Sequence, residues 1–502
     1  MAVAAVFILL GTIAAARAGV PSGAQAGRAF RATRLAEIAA AGHAPDGTPT
    51  GGLGPGAWTG APPAWLTARA AEADTGGVID VRTFGADPTG ARDSAAAIRA
   101  AIAAALNRTA ALPGPASGNV VVSLEGGRFR VDSPVTFPAS GGGYVTLRSG
   151  ALVAGPDFPA DGFLLDMRAG SFVYTSFLGL FLDSAHSGGG LALSGSLRTS
   201  VTDCYFSRFS TTGLLGDAEA KGGGSGHELY VSDSFFAEYE FGTGAFDNTT
   251  AKTGTAVEMR FPDSAFTSVV ILCSKAGVVD HGGNQYSAVH IYTTCSSKRD
   301  YTPGETTVAA AAVGSVTRFE SCYFDNAVLR AADPYVLSVS DGVFFGSARL
   351  ILAPSKRASS VYGLYVAGNQ FQCESGHCPD ILIEPGAEGG SFSSAGIVRT
   401  TVQDNWYGSS VPARATRVEA AVRVSNATSA AVDLSSLLVF PGVGAGTVQY
   451  SIRLHASSPS KFFRHSLGDW DDAKNQIYVQ TDEPISAVVY FAVDQSAVVT
   501  LQ

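Results

Sequence analysis

The chain has 502 residues, a net charge of −9 at pH 7 and only 15% charged residues. This balance, without any run of basic residues, argues against nucleic-acid binding, because a polyanion would approach an unfavourable field. Segments rich in Val, Phe, Tyr, Ser and Thr alternate with Gly, Asp and Asn, a composition that indicates an extracellular all-β protein.

The N-terminus has the pattern of a signal peptide over residues 1–18. An apolar stretch, Val3–Ala15, is followed by the small-x-small end Ala16–Ala18. The apolar stretch is too short to span a membrane, so we expect a secreted protein, located outside the cell or in the cell wall. We also expect the protein to be a monomer. Residues 19–77 are rich in Ala, Gly and Pro and are interpreted as an N-terminal extension with little core of its own.

Two further features fit an oxidising, extracellular compartment. The number of cysteines is even, and Cys373 and Cys378, which enclose a short polar loop, are the favoured disulfide pair. Glycosylation sequons occur at Asn107, Asn248 and Asn426.

Ordered structure is predicted to begin at Val78–Gly90, a strand followed by a Gly/Pro turn. Asp93–Ile102 then supplies a capping residue and an Ala-rich helix, which would cover the open first coil of a solenoid. Four features of this segment resemble the opening motif of the pectate-lyase superfamily. They are the strand, Phe84-Gly-Ala86, Asp93-Ser94 and Ala97-Ile98. That resemblance implies a right-handed, single-stranded parallel β-helix with an N-terminal helical cap.

A six-residue phrase recurs through the middle of the chain. It has a large apolar residue at its first and sixth positions and Asp, Ser or Gly at its third, a pattern typical of strand, tight turn and strand. Uneven spacings of about 20 to 40 residues, obtained if Val269 and Val289 begin two degenerate copies, indicate coils with loops of variable length. The clear copies are Val201–Phe206, Val231–Phe236, Phe319–Phe324, Val339–Phe344, Val366–Phe371 and Val402–Tyr407.

The pattern changes near residue 412. The β-helix is therefore assigned to residues 78–411, and the alternating strands of residues 412–502 are interpreted as a small antiparallel β-module that protects the last edge of the helix.

Five blocks, in order, resemble the plant Quartet-type polygalacturonases. They are Asp183–Gly190, Ser196–Ser200, Gly226–Tyr230, Leu437–Pro441 and Val448–Tyr450. The resemblance implies hydrolysis of α-1,4-galacturonan, a pectin component, within glycoside hydrolase family 28, which inverts configuration and needs no cofactor.

The usual boxes of that family, Asn-Thr-Asp, Gly-His-Gly and Arg-Ile-Lys, are missing; Ser210–Gly213 is nearest in shape to the first but has no carboxyl. Catalysis must therefore rest on other residues or be absent. The aspartates at the third position of the repeat are interpreted as turn formers, because Ser321 and Gly368 occupy the same position. These aspartates are Asp203, Asp233, Asp341 and Asp404.

Arg198 and Glu228 are the stronger candidates. Each lies three residues before the opening valine of its repeat, so they are predicted to stack on neighbouring coils. Arg198 would hold a uronate carboxylate while Glu228 acts as general acid or base, with Asp183 as the second carboxyl of an inverting pair. The alternative interpretations are an exposed ion-pair ladder for Arg198 and Glu228, and a turn residue for Asp183.

His227 and His290 are candidate substrate-binding residues. In an extended strand His227 would face away from Glu228. His290 follows Val289, and a single histidine is more often structural than functional. Asp280–Asn284 resembles a turn rather than a metal site, and no cluster of aspartates suggests calcium.

The sequence thus predicts an enzyme that hydrolyses an acidic polysaccharide. Two alternatives stay open: a polysaccharide lyase or uronate epimerase, and a non-catalytic glycan-binding or structural β-helix.

Overall fold

The computed structural model is the right-handed parallel β-helix that the sequence predicts, followed by a small antiparallel sheet. The coils and the antiparallel sheet belong to one compact unit, Pro63–Glu238 with Asn248–Gln502. The predicted signal peptide, the N-terminal extension up to residue 76 and Asn248 lie outside the residues that the structure describes. Those residues are 77–111, 119–218, 226–239, 252–292, 305–308, 316–355, 358–374, 376–384, 390–441, 447–455, 462–471 and 474–496.

Parallel strands of successive coils form two long sheets within the described residues. The 23-stranded sheet supplies two strands to most coils, one on either side of a tight turn. Its strands are Val78–Asp80, Val120–Ser123, Arg128–Val131, Gly142–Gly143, Val145–Ala154, Phe172–Val173, Ser176–Asp183, Leu197–Thr202, Tyr205–Ser207, His227–Ser232, Phe235–Ala237, Ala265–Thr267, Val270–Leu272, Gln285–Ser287, His290–Tyr292, Thr317–Glu320, Tyr323–Asp325, Leu337–Ser340, Val343–Phe345, Tyr365–Ala367, Gln370–Gln372, Thr401–Gln403 and Trp406–Tyr407.

The third strand of each coil belongs to a ten-stranded sheet, and a two-stranded sheet accompanies the last coils. The ten strands are Val135–Thr136, Phe163–Met167, Gly189–Leu193, Thr212–Gly216, Thr255–Met259, Ala276–Asp280, Glu305–Val308, Val328–Ala332, Arg349–Ala353 and Asp380–Ile383, and the pair is Ala358–Tyr362 with Ser391–Val398.

The sixth position of the repeat forms one continuous stack in the core. Ile271 and Ile291 fill the two coils between Phe236 and Phe324 in register. Rings on adjacent coils lie face to face, with centroids 4.3 Å apart for Phe206 and Phe236. Burying each ring contributes about 1.5 to 3 kcal/mol, so this stack is a large part of what holds the coils together. The buried phenylalanines are Phe206, Phe236, Phe324, Phe344 and Phe371.

The third position of the repeat is a left-handed turn residue, as predicted. The φ angles there are 53° at Asp203, 51° at Asp233, 55° at Asp341 and Asp404, and 54° at Ser321. Asp, Ser and Gly tolerate this conformation better than most residues, so backbone geometry accounts for the recurring aspartates.

The prediction that Val269 and Val289 begin the two degenerate repeats is wrong. Val231 pairs with Phe266, and Phe266 pairs with Tyr286, so these copies begin three residues earlier. Val269 and Val289 follow the turn residues of their coils and also point into the core. Burial alone therefore did not distinguish the two registers.

Both ends of the β-helix are covered. Near the N-terminus a short 3-10 helix, Val81–Phe84, precedes the α-helix Ala95–Ala110, which buries Ile98, Ile102 and other apolar residues against the first coils. No helix among the described residues is long and apolar enough to cross a membrane.

The antiparallel sheet covers the last coil. Its strands are Arg417–Asp433, Thr447–Leu454, His465–Leu467 and Gln476–Asp494. The amide of Thr416 donates to the carbonyl of Val402 at 2.9 Å, and Phe440 joins the core of the β-helix.

Candidate functional site

Arg198 and Glu228 lie directly opposite each other on adjacent coils. Leu197 pairs with His227 and Thr199 with Leu229, so the register aligns the two residues between them. Nε of Arg198 donates to Oε2 of Glu228 at 2.9 Å. The side chains are 52% and 27% exposed, so this pair faces solvent.

The pair belongs to a column of outward side chains at one corner of the coils. Each member, on five consecutive coils, has a left-handed backbone with φ between 50° and 65°, and each lies three residues before the inward residue of its coil that is in register with Val201. We call this column the corner ladder; its members are Tyr144, Tyr174, Arg198, Glu228 and Asp263.

The corner itself does not require these side chains. On later coils the corner residues include Gly283 and Gly363, both with positive φ. A left-handed non-glycine residue costs roughly 1 to 2 kcal/mol. Val336 and Arg399 are also left-handed at this corner on later coils, so strain alone does not mark a site. The aromatic and charged side chains that the corner ladder presents together make it a candidate site.

Two aromatic rings are followed by three charged side chains along the corner ladder. The rings of Tyr144 and Tyr174 are stacked, with centroids 5.0 Å apart. The guanidinium carbon of Arg198 lies 5.5 Å from the Tyr174 ring centroid, within the range of a cation–π interaction. The hydrogen bond to Glu228 raises the pKa of Arg198, so the arginine is charged throughout the physiological range.

Asp263 is the member that sequence reasoning missed. It is exposed, and its backbone carbonyl accepts the amide of Glu228 at 3.0 Å. Parallel strands lie about 4.8 Å apart, so Glu228 and Asp263 place two carboxyl groups on neighbouring coils. Asp263 stands three residues before Phe266, the true start of its repeat, so the rule that found Arg198 and Glu228 also finds Asp263 once the register is correct.

Asp183 does not join this group, contrary to expectation. It ends the strand Ser176–Asp183 and pairs in register with Ser207, on the far side of the tight turn from Arg198. Its Oδ1 accepts a hydrogen bond from Nε of Arg208 at 2.7 Å, and the residue is 4% exposed. The amide of Ala185 also donates to Oδ1 at 3.0 Å. These contacts favour the alternative interpretation of Asp183 as a structural residue, because removing either partner of a buried ion pair leaves an uncompensated charge.

His227 is exposed and precedes Glu228 on the same strand. The left-handed backbone of Glu228 interrupts the strict alternation of an extended strand, and both His227 and Glu228 reach solvent. His227 therefore stays a candidate substrate-binding residue.

His290 lies away from the corner ladder. It is in register with Val270 and Tyr323 on the strands that follow the tight turn. Its Nε2 is 3.6 Å from Oδ2 of Asp325, and its ring packs against Tyr323 with centroids 4.7 Å apart.

The structure also describes the predicted disulfide and two of the predicted glycosylation sites. Cys373 and Cys378 are joined by a disulfide. The sequon residues Asn107 and Asn426 are exposed. Within the described ranges, no three His, Cys, Asp or Glu side chains are grouped as a metal site would need.

Comparison with known proteins shows to which family this chain belongs. No family model matches the chain. Polygalacturonase QRT3 of Arabidopsis thaliana is 31% identical over 431 residues, which cover 83% of this chain and 84% of that protein. This chain belongs to the Quartet-type polygalacturonase family.

Solved structures similar to this polygalacturonase-family chain are more distant. ORF18 of Geobacillus virus E2 has a TM-score of 0.43 and 11% identity, over 82% of this chain and 77% of that one. The tailspike gp61 of Pseudomonas phage phi297 has a TM-score of 0.39 and 8% identity, over 84% of this chain and 99% of that one.

One segment of this family member resembles a usual hydrolase box in shape only. Ser210–Gly213 leads into the strand Thr212–Gly216, and Thr212, where the box would have its aspartate, is buried. The carboxyl groups of the corner ladder are the better candidates for chemistry in this polygalacturonase-family chain.

Proposed function

We propose that this protein is a glycoside hydrolase that cleaves an acidic, pectin-like polysaccharide, with α-1,4-galacturonan as the first candidate. The observation that carries the proposal is the exposed succession of Arg198, Glu228 and Asp263 on three neighbouring coils. Membership of a polygalacturonase family supports the same substrate class. The signal-peptide pattern of residues 1–18 adds the proposal that the protein is secreted.

The glycan would lie along the helix axis, because the length of one pyranose unit is close to the spacing of coils. Arg198 would bind the carboxylate of one uronate unit. Glu228, which accepts a hydrogen bond from Arg198, would act as base and take a proton from water while the water oxygen bonds to the anomeric carbon. Asp263 would donate a proton to the glycosidic oxygen as the bond between that oxygen and the anomeric carbon breaks. Displacement by water in this single step would invert the configuration.

The test incubates the purified protein with polygalacturonate, with and without a chelator, and records reducing ends and ultraviolet absorbance. We expect reducing ends without the absorbance of an unsaturated product. Glu228→Gln and Asp263→Asn should each lower turnover by about 100-fold or more. Asp404→Asn is the matched control, because Asp404 is another exposed, left-handed aspartate outside the corner ladder.

Full turnover in both variants would contradict the assignment of acid and base. An increase in ultraviolet absorbance would show that an unsaturated product forms, and the reaction would then be a lyase reaction rather than hydrolysis.

A second candidate function is non-catalytic binding of an acidic glycan. The ion pair between Arg198 and Glu228 favours it, because a carboxylate already engaged by arginine is less available for proton transfer. Binding of polygalacturonate without new reducing ends would support this alternative.

A further inference from the structure

We propose that the outer face of the β-helix is a binding track for long acidic glycans, and that its far end is a second glycan-binding site, the distal site, built by Arg399, Tyr362 and Tyr365. A chain that reaches from the corner ladder to the distal site would bind at two points, so the protein would select long chains over short ones. This inference rests on the proposed substrate class, but it does not require hydrolysis.

Arg399 occupies the same place in its repeat as Arg198. Each arginine lies three residues before an inward valine, Val402 or Val201. These two valines belong to one column and are connected by seven successive pairings between neighbouring coils. Because parallel strands lie about 4.8 Å apart, the two arginines are separated by about 34 Å along the helix axis.

The aromatic support of Arg198 is repeated at Arg399. The rings of Tyr335 and Tyr362 are stacked, with centroids 5.1 Å apart, and the guanidinium carbon of Arg399 lies 5.8 Å from the Tyr362 ring centroid. Arg399 is exposed and makes no ion pair or side-chain hydrogen bond with any residue that the structure describes. One ring therefore supports the guanidinium through a cation–π contact, and its N–H donors stay available to a ligand.

Exposed side chains connect the two ends of the track. Arg318 pairs with Ser338, and Ser338 pairs with Tyr365, so Arg318 and Tyr365 share one outward column. Arg318 is exposed and Tyr365 is 46% exposed. Arg318 lies four coils from Arg198 and three coils from Arg399, so cations recur along the face.

The track is locally basic although the whole chain carries a net charge of −9. On the described coils after Asp263, the two outward columns that contain Arg318 and Arg399 carry no further acidic residue. A local surplus of cations attracts an acidic chain. Two anchors on one scaffold also turn the second contact into an intramolecular event, which strengthens binding only of chains that reach both.

The experiment compares short and long ligands by calorimetric binding of tetragalacturonate and dodecagalacturonate. The full chain carries Asp263→Asn in every sample, so that turnover does not interfere. A chain of about eight units is needed to reach from Arg198 to Arg399 if each unit advances by one coil, so only the dodecamer can bind at both. We expect the dodecamer to bind about 100-fold or more tightly than the tetramer.

Substitutions at the distal site should affect the long ligand only. Arg399→Gln should weaken binding of the dodecamer about tenfold or more, because glutamine has no charge for a uronate. Tyr365→Ala should weaken it about two- to fivefold, because a hydroxyl that can bond the sugar is lost. Binding of the tetramer should change by no more than about twofold in either variant.

Arg453 provides a matched control outside the track. It is an exposed arginine of the antiparallel sheet, and its guanidinium carbon lies 5.7 Å from the ring centroid of Tyr490. Arg453→Gln should leave binding of both ligands unchanged. Thermal melts establish that every variant is folded.

Equal affinity for the two ligands, or unchanged binding of the dodecamer to folded Arg399→Gln, would overturn the track. An equal loss in Arg453→Gln would overturn it as well, because the attraction would then belong to any exposed arginine. Length-dependent binding of polygalacturonate without new reducing ends would reject only the proposed hydrolysis. Reducing ends together with length-independent binding would reject only the track.

Discussion

At the residue scale, left-handed residues in this protein have two different meanings. The aspartates of the tight turn share their position with Ser321 and Gly368, so the backbone selects for them. At the corner ladder, Arg198 and Glu228 occupy positions that glycine fills on later coils, so their side chains need another explanation. Positive φ alone therefore does not mark a functional residue; the chemistry of its neighbours on adjacent coils must also be considered.

Asp233→Asn should retain both stability and any catalytic activity, because asparagine adopts the left-handed φ of 51° found there. Asp233→Val should lose roughly 1 to 2 kcal/mol of unfolding free energy, since a β-branched residue is strained in that conformation. Denaturant unfolding and turnover of the two variants measure this contrast. Loss of turnover in a folded Asp233→Asn protein would instead give Asp233 a catalytic role.

Asp280 is a buried carboxyl that makes stability depend on pH. It is 0% exposed, and its Oδ1 accepts hydrogen bonds from the Gly282 amide at 3.0 Å and from Nδ2 of Asn284 at 2.6 Å. Burial raises the pKa of Asp280 above its ordinary value of 3.8 despite these hydrogen bonds. The hydrogen bonds to Oδ1 also agree with the prediction that Asp280–Asn284 is a turn.

Because the pKa of Asp280 is higher in the folded state than in the unfolded chain, its stabilising contribution is fully present below pH 3.8. That contribution is lost as the pH rises through the folded-state value. Relative to Asp280→Asn, the wild-type protein should therefore lose melting temperature as the pH rises from about 4 towards neutrality. Thermal melts of both proteins across this range measure the effect, and a difference independent of pH would contradict it.

At the scale of the strand and turn, side-chain stacking holds neighbouring coils together. Phe324 stacks on Phe344 with centroids 4.6 Å apart, and Phe344 stacks on Phe371 with centroids 4.8 Å apart. Each ring closes a gap that no neighbouring side chain can fill, because the parallel register fixes the distance between coils.

Phe324→Ala should lower the free energy of unfolding by about 3 to 5 kcal/mol, through lost burial and the cavity that remains. Tyr365→Ala is the control, because Tyr365 lies on a strand of the same sheet, before the tight turn, and is 46% exposed; its change should stay within about 0.5 kcal/mol. Similar melting curves for the two variants would show that the stack is not the core.

At the scale of the whole molecule, the residue that precedes the antiparallel sheet is hydrogen-bonded to the last coil of the β-helix. The amide of Val402, on the strand Thr401–Gln403 of the last coil, donates to Oγ1 of Thr416 at 3.0 Å. The sheet also has its own core, which includes Val489 and Phe491. An uncovered strand edge with unpaired backbone groups is a template for association.

Truncation after Pro412 should therefore produce self-association, which size-exclusion chromatography with light scattering detects. Val489→Ala should weaken the antiparallel sheet without removing it, and the protein should keep the elution volume of the full chain. A monomeric, folded truncated protein would show that the last coil needs no cover.

Local sequence patterns were enough to predict the β-helix, the inward phenylalanines and the left-handed turn residues. These follow from local alternation and from the φ angles that individual residue types tolerate. The sequence also aligned Arg198 with Glu228, because both sit at the same distance from a clear repeat.

For the other coils, the stacked structure was needed to show which residues lie in the same column. The register of the degenerate coils follows from pairing with both neighbouring coils, and this pairing brought Asp263 beside Glu228. The stacking of the coils also pairs Asp183 with Arg208, a partner that no repeat position indicated. Loops of unequal length break the relation between sequence spacing and spatial neighbours, so a side chain's place along the coil is known only once the coils are stacked.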